Sequence, residues 1–404
     1  MLSVTEARER ILSHFKINST ETVSLIDAAN RILGIDILAD GDYPPFDNSA
    51  VDGFALRAED TSASPVTLNV VADIPAGSTP KVTLQAGQAA RIMTGAQMPL
   101  GANCVIMVED TDFNAKSAGT TAPKTVSFSK QMKSGENLRL RGADIRTGDA
   151  VLKQGRTLKP QDLGLLATLG HARVTVHKKA RVALLSSGDE LLDVSAPLEP
   201  GKIRDSNSYA LAAAVSNLGV DVTRLGVARD TRESITQLLD QAASENADLI
   251  LSSAGVSVGA FDYIKEVIDA NGKMDFWRVN MRPGKPLAFG EYRGIPFIGL
   301  PGNPVSAFVG FEVFVRPVLE RLNGKMDGGR QTVRVRCEEE IESDGRESYL
   351  RAKIQVKNDI RIAILTGHQG SGNLLSLVQA DALLIIPAGV KCVPAGSEVD
   401  AILL

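Results

Sequence analysis

A change of hydrophobic period near residue 180 divides this chain of 404 residues. From there to residue 322, short apolar runs (182–185, 220–227, 248–252, 276–279 and 295–300) alternate with helix-period stretches (208–218, 231–243, 262–270 and 304–322). Parallel strands need crossovers long enough to carry the chain back, and helices of this length supply them. The pattern therefore predicts a mostly parallel, doubly wound α/β sheet. Asp205-Ser206-Asn207 before the first of these helices and Gly219 after it are start and stop signals of the expected kind.

The flanks read differently. Val4, Ala7, Ile11, Leu12 and Phe15 share one helical face, giving an amphipathic opening helix. A second short helix is expected over 24–33, closed by Gly34, and a third over 161–169, closed by Gly170 and followed by a strand over 171–177. From about Pro65 the texture becomes short alternating runs (Val66, Leu68, Val70; Ala90, Ile92; 105–108) between Gly- and Pro-rich turns, as in a small β domain. After Asn323-Gly324 and Gly328-Gly329 the alternation returns (Val333, Val335, Cys337; Ile360, Ile362, Ile364), predicting a small β barrel or sandwich.

Charge and cysteine usage narrow the function. Forty-four Lys and Arg against 48 Asp and Glu give a formal charge of −4. That argues against a nucleic-acid coat or a polybasic membrane binder, both of which work through surplus positive charge. Cys104, Cys337 and Cys392 lie far apart with no CxxC pair, so neither a disulfide framework nor a zinc knuckle is expected. Glu6 and Glu9 interrupt the apolar run a signal peptide would need, and no stretch of about 20 residues is apolar enough to span a bilayer. The expectation is a soluble cytoplasmic protein without nucleic-acid or membrane partners.

In an open α/β sheet, ligands bind at the carboxyl ends of the strands. Those ends are polar here: Ser186-Ser187-Gly188-Asp189-Glu190, then Arg229-Asp230, then the serine- and glycine-rich segment from Ser252 and Ser253 through Gly255, Ser257 and Gly259 to Asp262, then Arg278 to Lys285, then Pro301-Gly302-Asn303-Pro304. Backbone amides of the Ser/Gly segment and of a helix N-terminus suit a phosphate. Arg278, Arg282 and Lys285 supply countercharge, and Asp189, Glu190, Asp230 and Asp262 could hold a hard divalent cation. Asp230 with Glu233, and Asp262 alone, also fit helix caps. Walker A and a dinucleotide GxGxxG are both absent. The histidines share no metal-ligand spacing, and Cys104 reads as a core residue. In the first half, Pro44-Pro45 opens and Asp52-Gly53 closes a polar loop; Arg91 to Ala96 and Arg141 to Ile145 are polar turns beside apolar strands.

The segments PPFDNSAVDGFA, RIMTGA, RGADI, SSGDEL, RDSNS, SSAGVSVGAFDY, MRPGKPLAFG and LPGNPVSAF occur in this order, and TGHQGS follows in the tail. Together they closely resemble the MoeA family of molybdopterin molybdenumtransferases, related to the E domain of gephyrin. The resemblance implies a helical linker domain (1–45 with 143–178), an inserted β domain (46–142), a molybdopterin-binding α/β domain (179–326) and a C-terminal β barrel (327–404). It implies an elongated homodimer with shared active sites. The implied reaction takes adenylylated molybdopterin and molybdate to molybdenum cofactor and AMP with Mg²⁺, the substrate coming from an upstream adenylyltransferase.

Carried over by position, the functional residues are Asp52, Thr94, Asp144, Glu190, Asp230, Asp262 and Ser371, with Pro301 and Pro304 in the Pro-Gly-Asn-Pro loop. Arg278 and Arg282 stand where the family often has lysine, which keeps charge but exchanges a point donor for a planar fork. On this reading Asp230 and Asp262, with Glu190 or Asp52, hold the metal, and Arg278, Arg282 and Lys285 draw molybdate in. Ser252, Ser253, Gly255, Ser257, Gly259 and residues 301–304 hold pterin and phosphate. Two rivals share the fold: a molybdopterin-binding scaffold without chemistry, and a nucleotide hydrolase like the competence-damage proteins.

Overall fold

Successive residues of a strand point to opposite faces of its sheet, and here both faces are apolar. Val182 and Leu184 belong to one core, Ala183 and Leu185 to another. A computed structural model of the chain, describing residues 1–63, 65–113, 121–253, 261–325 and 328–404, shows what covers each face. The helices Asn207–Ser216 and Pro304–Gly310, continued by Arg316–Leu322, pack on the first face. Arg232–Ser244 and Phe261–Asn271 pack on the second. The sheet is doubly wound, as the periodicity predicts.

Its six strands run in the order Asp221–Ala228, Arg181–Ser187, Leu249–Ser253, Ile295–Leu300, Pro286–Tyr292, Gly272–Arg278. The first four are parallel, Pro286–Tyr292 runs against them, and Gly272–Arg278 at the edge runs with them again. Pro286–Tyr292 therefore starts at the edge where the parallel strands end. The sequence reading missed this strand, because Pro286 and Gly290 interrupt its apolar run.

The chain divides into two compact units, residues 1–35, 154–164 and 172–404 in one, and 36–153 with 165–171 in the other. In the first, the opening helix Val4–Ser13 is fixed by a Ser3–Glu6 capping box and buries Val4, Ala7 and Ile11 against the α/β core. The helix expected over 24–33 does not form. Thr20–Ser24 is instead a strand paired with Arg173–His177, and after a short turn at Ile26–Ala28 the positive φ of Asn30 (61°) excludes helical continuation. Thr20, Thr22 and Val23 are β-branched and favour the pleated surface.

The barrel closes the same unit. Glu347–Lys357 pairs with both Ile360–Leu365 and Ala382–Ile386, while Thr332–Cys337 and Glu398–Leu403 complete a five-stranded ring. Val333, Val335 and Cys337 face its core as expected. Ile360, Ile362 and Ile364 do not: the buried residue of that strand is Ala363, because the narrow interior takes a small side chain there. The second unit is built on a five-stranded sheet in the order Cys104–Met107, Gly53–Leu56, Gln88–Ile92, Val66–Ile74, Thr125–Phe128, with an apolar cluster on each face. Among the described residues no helix is long and apolar enough to cross a membrane.

Candidate functional site

The carboxyl edge of the α/β sheet and one loop of the barrel enclose a cavity of about 880 Å³. Its lining includes Glu190, Asp230, Ser253, Arg282, Lys285, Pro301, Gly302, Asn303, Pro304 and Ser371. Residues from six separate stretches of sequence thus meet in one concavity, at the edge where strand topology places ligands.

The acidic wall starts where Arg181–Ser187 ends. Gly188 has φ +146°, and a Cβ there would lie 2.5 Å from Glu190 Oε2, so the turn that folds the Glu190 carboxylate back requires glycine. Asp230 follows the neighbouring strand. The alternative that it caps a helix fails, since Thr231 is the N-cap of Arg232–Ser244 and accepts from the Ser234 amide. Asp230 instead lines the cavity, and its buried Oδ1 has no hydrogen-bond partner. Burial raises the Asp230 pKa, and the charges of Asp189 and Glu190 add to the rise, against an opposing hydrogen bond from the Asp189 backbone.

The cationic wall comes from the reversal of the sheet. The loop after Gly272–Arg278 is sealed by the Val279 amide donating to Lys285 O (3.1 Å), which holds Arg282 and Lys285 at the cavity. Arg278 is exposed on the strand before the loop and is not among the lining residues. Arg204 and Arg346 join the wall. Ser252 is buried one residue behind Ser253, in register with Gly299. Gly255, Ser257 and Gly259 lie outside the described residues, as does the side chain of Asp262, the second residue of Phe261–Asn271.

The floor is shared by sheet and barrel. Asn207 Nδ2 donates to Gly302 O (2.7 Å), fixing the Pro-Gly-Asn-Pro loop. The amide of Val305 donates to Ser371 O (3.1 Å), so this helix end docks the barrel loop as well as facing the cavity. That loop is organised by Arg351, which is fully buried. Its Nε donates to Ser376 Oγ, its Nη1 to Gln369 O and its Nη2 to Gly370 O, at 3.0–3.2 Å.

The second unit holds the other predicted residues. Asp52 accepts from both the amide and the hydroxyl of Thr94, each at 2.7 Å, and these bonds hold its pKa below the ordinary value. Gly53 beside it is obligatory: a Cβ would lie 1.9 Å from Ile106 O. Asp144 is exposed and ion-paired with Arg139.

Among the described residues no three His, Cys, Asp or Glu side chains form a preformed metal cage. Glu190 and Asp230 still offer hard oxygen donors beside cations that suit phosphate, so a cation here would bridge protein to ligand oxygens. Arg204, Asn207, Arg346 and Gln369 are lining residues that the sequence reading did not assign to the site. Arg204 and Asn207 stood inside the quoted RDSNS segment, which was the available signal; Arg346 carried none.

The sequence matches the family description "MoeA N-terminal region (domain I and II)" over residues 2–170, "Probable molybdopterin binding domain" over 183–321 and "MoeA C-terminal region (domain IV)" over 334–404. It is 40% identical to a molybdopterin molybdenumtransferase of Nostoc sp. over 392 residues, covering 94% of this chain and 88% of that one. It is 38% identical to molybdopterin molybdenumtransferase 2 of Mycobacterium tuberculosis, covering 99% of each. The crystal structure of the molybdopterin biosynthesis MoeA protein from Pyrococcus horikoshii superposes with a TM-score of 0.82 at 31% identity over the whole of both chains.

Proposed function

Since this chain belongs to the MoeA family of molybdopterin molybdenumtransferases, we propose that its cavity converts adenylylated molybdopterin and molybdate to molybdenum cofactor with release of AMP. The chain is a transferase of molybdenum cofactor biosynthesis. The observation that supports the finer reading is the shared cavity of Glu190 and Asp230 with Arg282 and Lys285, opposite charges facing one space. A dianion such as molybdate needs the cationic wall, and the acidic wall makes sense beside a pyrophosphate only with a cation between them.

The residues fit magnesium in donor chemistry. The orphaned Oδ1 of Asp230 and the mutual repulsion of Asp189, Glu190 and Asp230 would both be relieved by a divalent ion. On this reading Asp230 and Glu190 hold Mg²⁺, with Asp262 as the expected third ligand. The ion would neutralise the pyrophosphate as its bond breaks. Arg282 and Lys285, with Arg278 at the rim, receive molybdate. Ser252, Ser253, Gly255, Ser257, Gly259 and the Pro301, Gly302, Asn303, Pro304 loop position pterin and phosphate. Ser371 brings the barrel to the same space.

The reading includes the four-domain division given above and a cytoplasmic homodimer. In that dimer the inserted domain of one subunit, with Asp52, Thr94 and Asp144, meets the α/β domain of the other. An upstream adenylyltransferase supplies the substrate. The test is incubation of the protein with adenylylated molybdopterin, molybdate and Mg²⁺, following AMP and the activation of a cofactor-free molybdoenzyme. AMP formation that depends on Asp230 supports the reading. Binding of the pterin without AMP release would leave the scaffold alternative instead, and turnover of nucleotides lacking a pterin would favour the hydrolase.

A further inference from the structure

The loop that carries Arg282 is gripped from outside the sheet. Met281 and Arg282 pair in parallel with Glu347 and Ser348 of the barrel, a two-residue ladder that joins the ligand loop to a different domain core. The turn before those barrel residues, Ser343-Asp344-Gly345-Arg346, adds the grip. Arg346 Nη1 donates to Met281 O at 3.1 Å, the carbonyl immediately before Arg282. Its Nε donates to Asp344 Oδ2 at 3.0 Å, and its Nη2 donates to the same oxygen. The Arg346 amide donates to Asp344 Oδ1 at 3.1 Å. All three guanidinium nitrogens therefore have protein acceptors, although Arg346 lines the cavity.

The turn itself is anchored. Ser348 Oγ donates to Arg346 O (2.9 Å), and the Gly389 amide donates to Gly345 O (2.8 Å). The Arg346 hydrogen bonds hold the Asp344 pKa below its ordinary value, and the Arg282 charge adds a smaller pull in the same direction. The Asp344 carboxylate is thus held by one arginine within the field of another.

We infer that Arg346, with Asp344, is a positioning residue for oxyanion recognition. It fixes the Met281 carbonyl and keeps Asp344 engaged, so that the guanidinium of Arg282 stays directed to the cavity. Without Arg346 the liberated carboxylate of Asp344 is free to pair with Arg282 and competes with the incoming dianion. The inference rests on the reading of Arg282 as a molybdate contact, and its test separates the two.

The experiment measures the apparent KM for molybdate, kcat and the Kd for adenylylated molybdopterin in Arg346→Ala, Arg346→Lys, Asp344→Asn/Arg346→Ala and Arg282→Ala. In Arg346→Ala the KM for molybdate should rise about tenfold, with a much smaller change in kcat at saturation and in pterin affinity. The double variant should recover most of that rise, because the competing carboxylate is gone; a merely structural role for Arg346 would not be repaired by a second deletion. Arg346→Lys should be intermediate. If Arg282→Ala raises the molybdate KM while Arg346→Ala does not, or if the double variant is worse than the single one, the positioning role is overturned and the reading of Arg282 stands. If Arg282→Ala leaves the molybdate KM unchanged, both fall together. Should Arg346→Ala fold poorly, the comparison of Arg346→Lys with Asp344→Asn/Arg346→Lys decides the same question.

Discussion

Ser371 accepts the Val305 amide at 3.1 Å, so the first turn of the helix that closes the Pro-Gly-Asn-Pro loop is completed by the barrel. A helix leaves its leading amides unsatisfied, and a carbonyl from another domain is as good a partner as a local cap. The barrel is thereby part of the ligand edge of the sheet.

Arg351 holds the loop that delivers that carbonyl. Arg351→Met should remove the donors to Gln369 O, Gly370 O and Ser376 Oγ and destabilise the barrel by about 3–5 kcal/mol, with loss of activity. Arg351→Lys should rescue little, since one ammonium cannot reach that spread of acceptors. Urea unfolding checks this, and a loss below about 1 kcal/mol would show that the loop stands without it.

Asp230 should oppose stability while serving the site. Its folded pKa is raised, so the carboxylate is disfavoured in the fold, and stability falls as pH climbs through the unfolded and then the folded value. Asp230→Asn should therefore melt at or above the wild-type temperature near neutral pH without Mg²⁺, yet release no AMP. Mg²⁺ should raise the wild-type melting temperature and leave the variant where it was. A wild type indifferent to Mg²⁺ would argue against a cation bound at Asp230.

Asp52 behaves in the opposite sense. Its pKa is depressed, chiefly by the Thr94 amide and then by the Thr94 hydroxyl, so the contribution of these bonds is present above the unfolded value and lost as pH falls through the folded one. Thr94→Val should raise the Asp52 pKa only part of the way back, because the amide bond survives. Carbon-detected NMR titration of the carboxyl would read this, and full restoration would mean that the backbone bond contributes nothing.

Glu312 lies buried in the turn Phe311–Val315 that joins Pro304–Gly310 to Arg316–Leu322, bonded to Arg316 (2.6 Å) and Arg330 (2.9 Å). Burial pushes its pKa up, but the two guanidinium groups more than offset this and hold it below the ordinary value. Glu312→Gln should cost about 3–5 kcal/mol by leaving buried arginines undercompensated. Equilibrium unfolding at neutral pH measures it; an unchanged midpoint would show that the arginines relax into solvent.

Period and punctuation were enough to read the parallel strands of the α/β domain, though not Pro286–Tyr292: runs at 182–185 and 248–252 correspond closely to Arg181–Ser187 and Leu249–Ser253. The polar strand ends also announced Glu190, Asp230, Arg282 and the 301–304 loop as neighbours, because topology alone sends them to one edge. What the sequence hid was long-range and geometric. Arg346 reaches the cavity beside a barrel strand that pairs with Met281 and Arg282, and Gln369 reaches it on a loop held by Arg351, placements no local pattern encodes. The Asp230–Glu233 spacing suggested a cap that Thr231 supplies instead, which only the backbone angles of Thr231 decide. At 24–33 the apolar spacing suited a helix, but only the turn Ile26–Ala28 forms before Asn30 takes a positive φ and Ile32 and Leu33 enter bridges with Thr157 and Val176.

The reversal of Pro286–Tyr292 gives the sheet two unequal ends. Away from the ligand edge, Arg293 and Gly294 close a tight hairpin with positive φ at both positions, Arg293 ion-paired with Asp240 and Gly294 facing open space. At the other end, the seven residues from Val279 to Lys285 are cinched at their base and clasped by the barrel. Chain length is consequently negotiable at one rim and fixed at the other. A tag or extra loop threaded in beside Gly294 should leave the enzyme intact, whereas a single residue added after Pro283 would push charge out of the chamber it was folded to furnish.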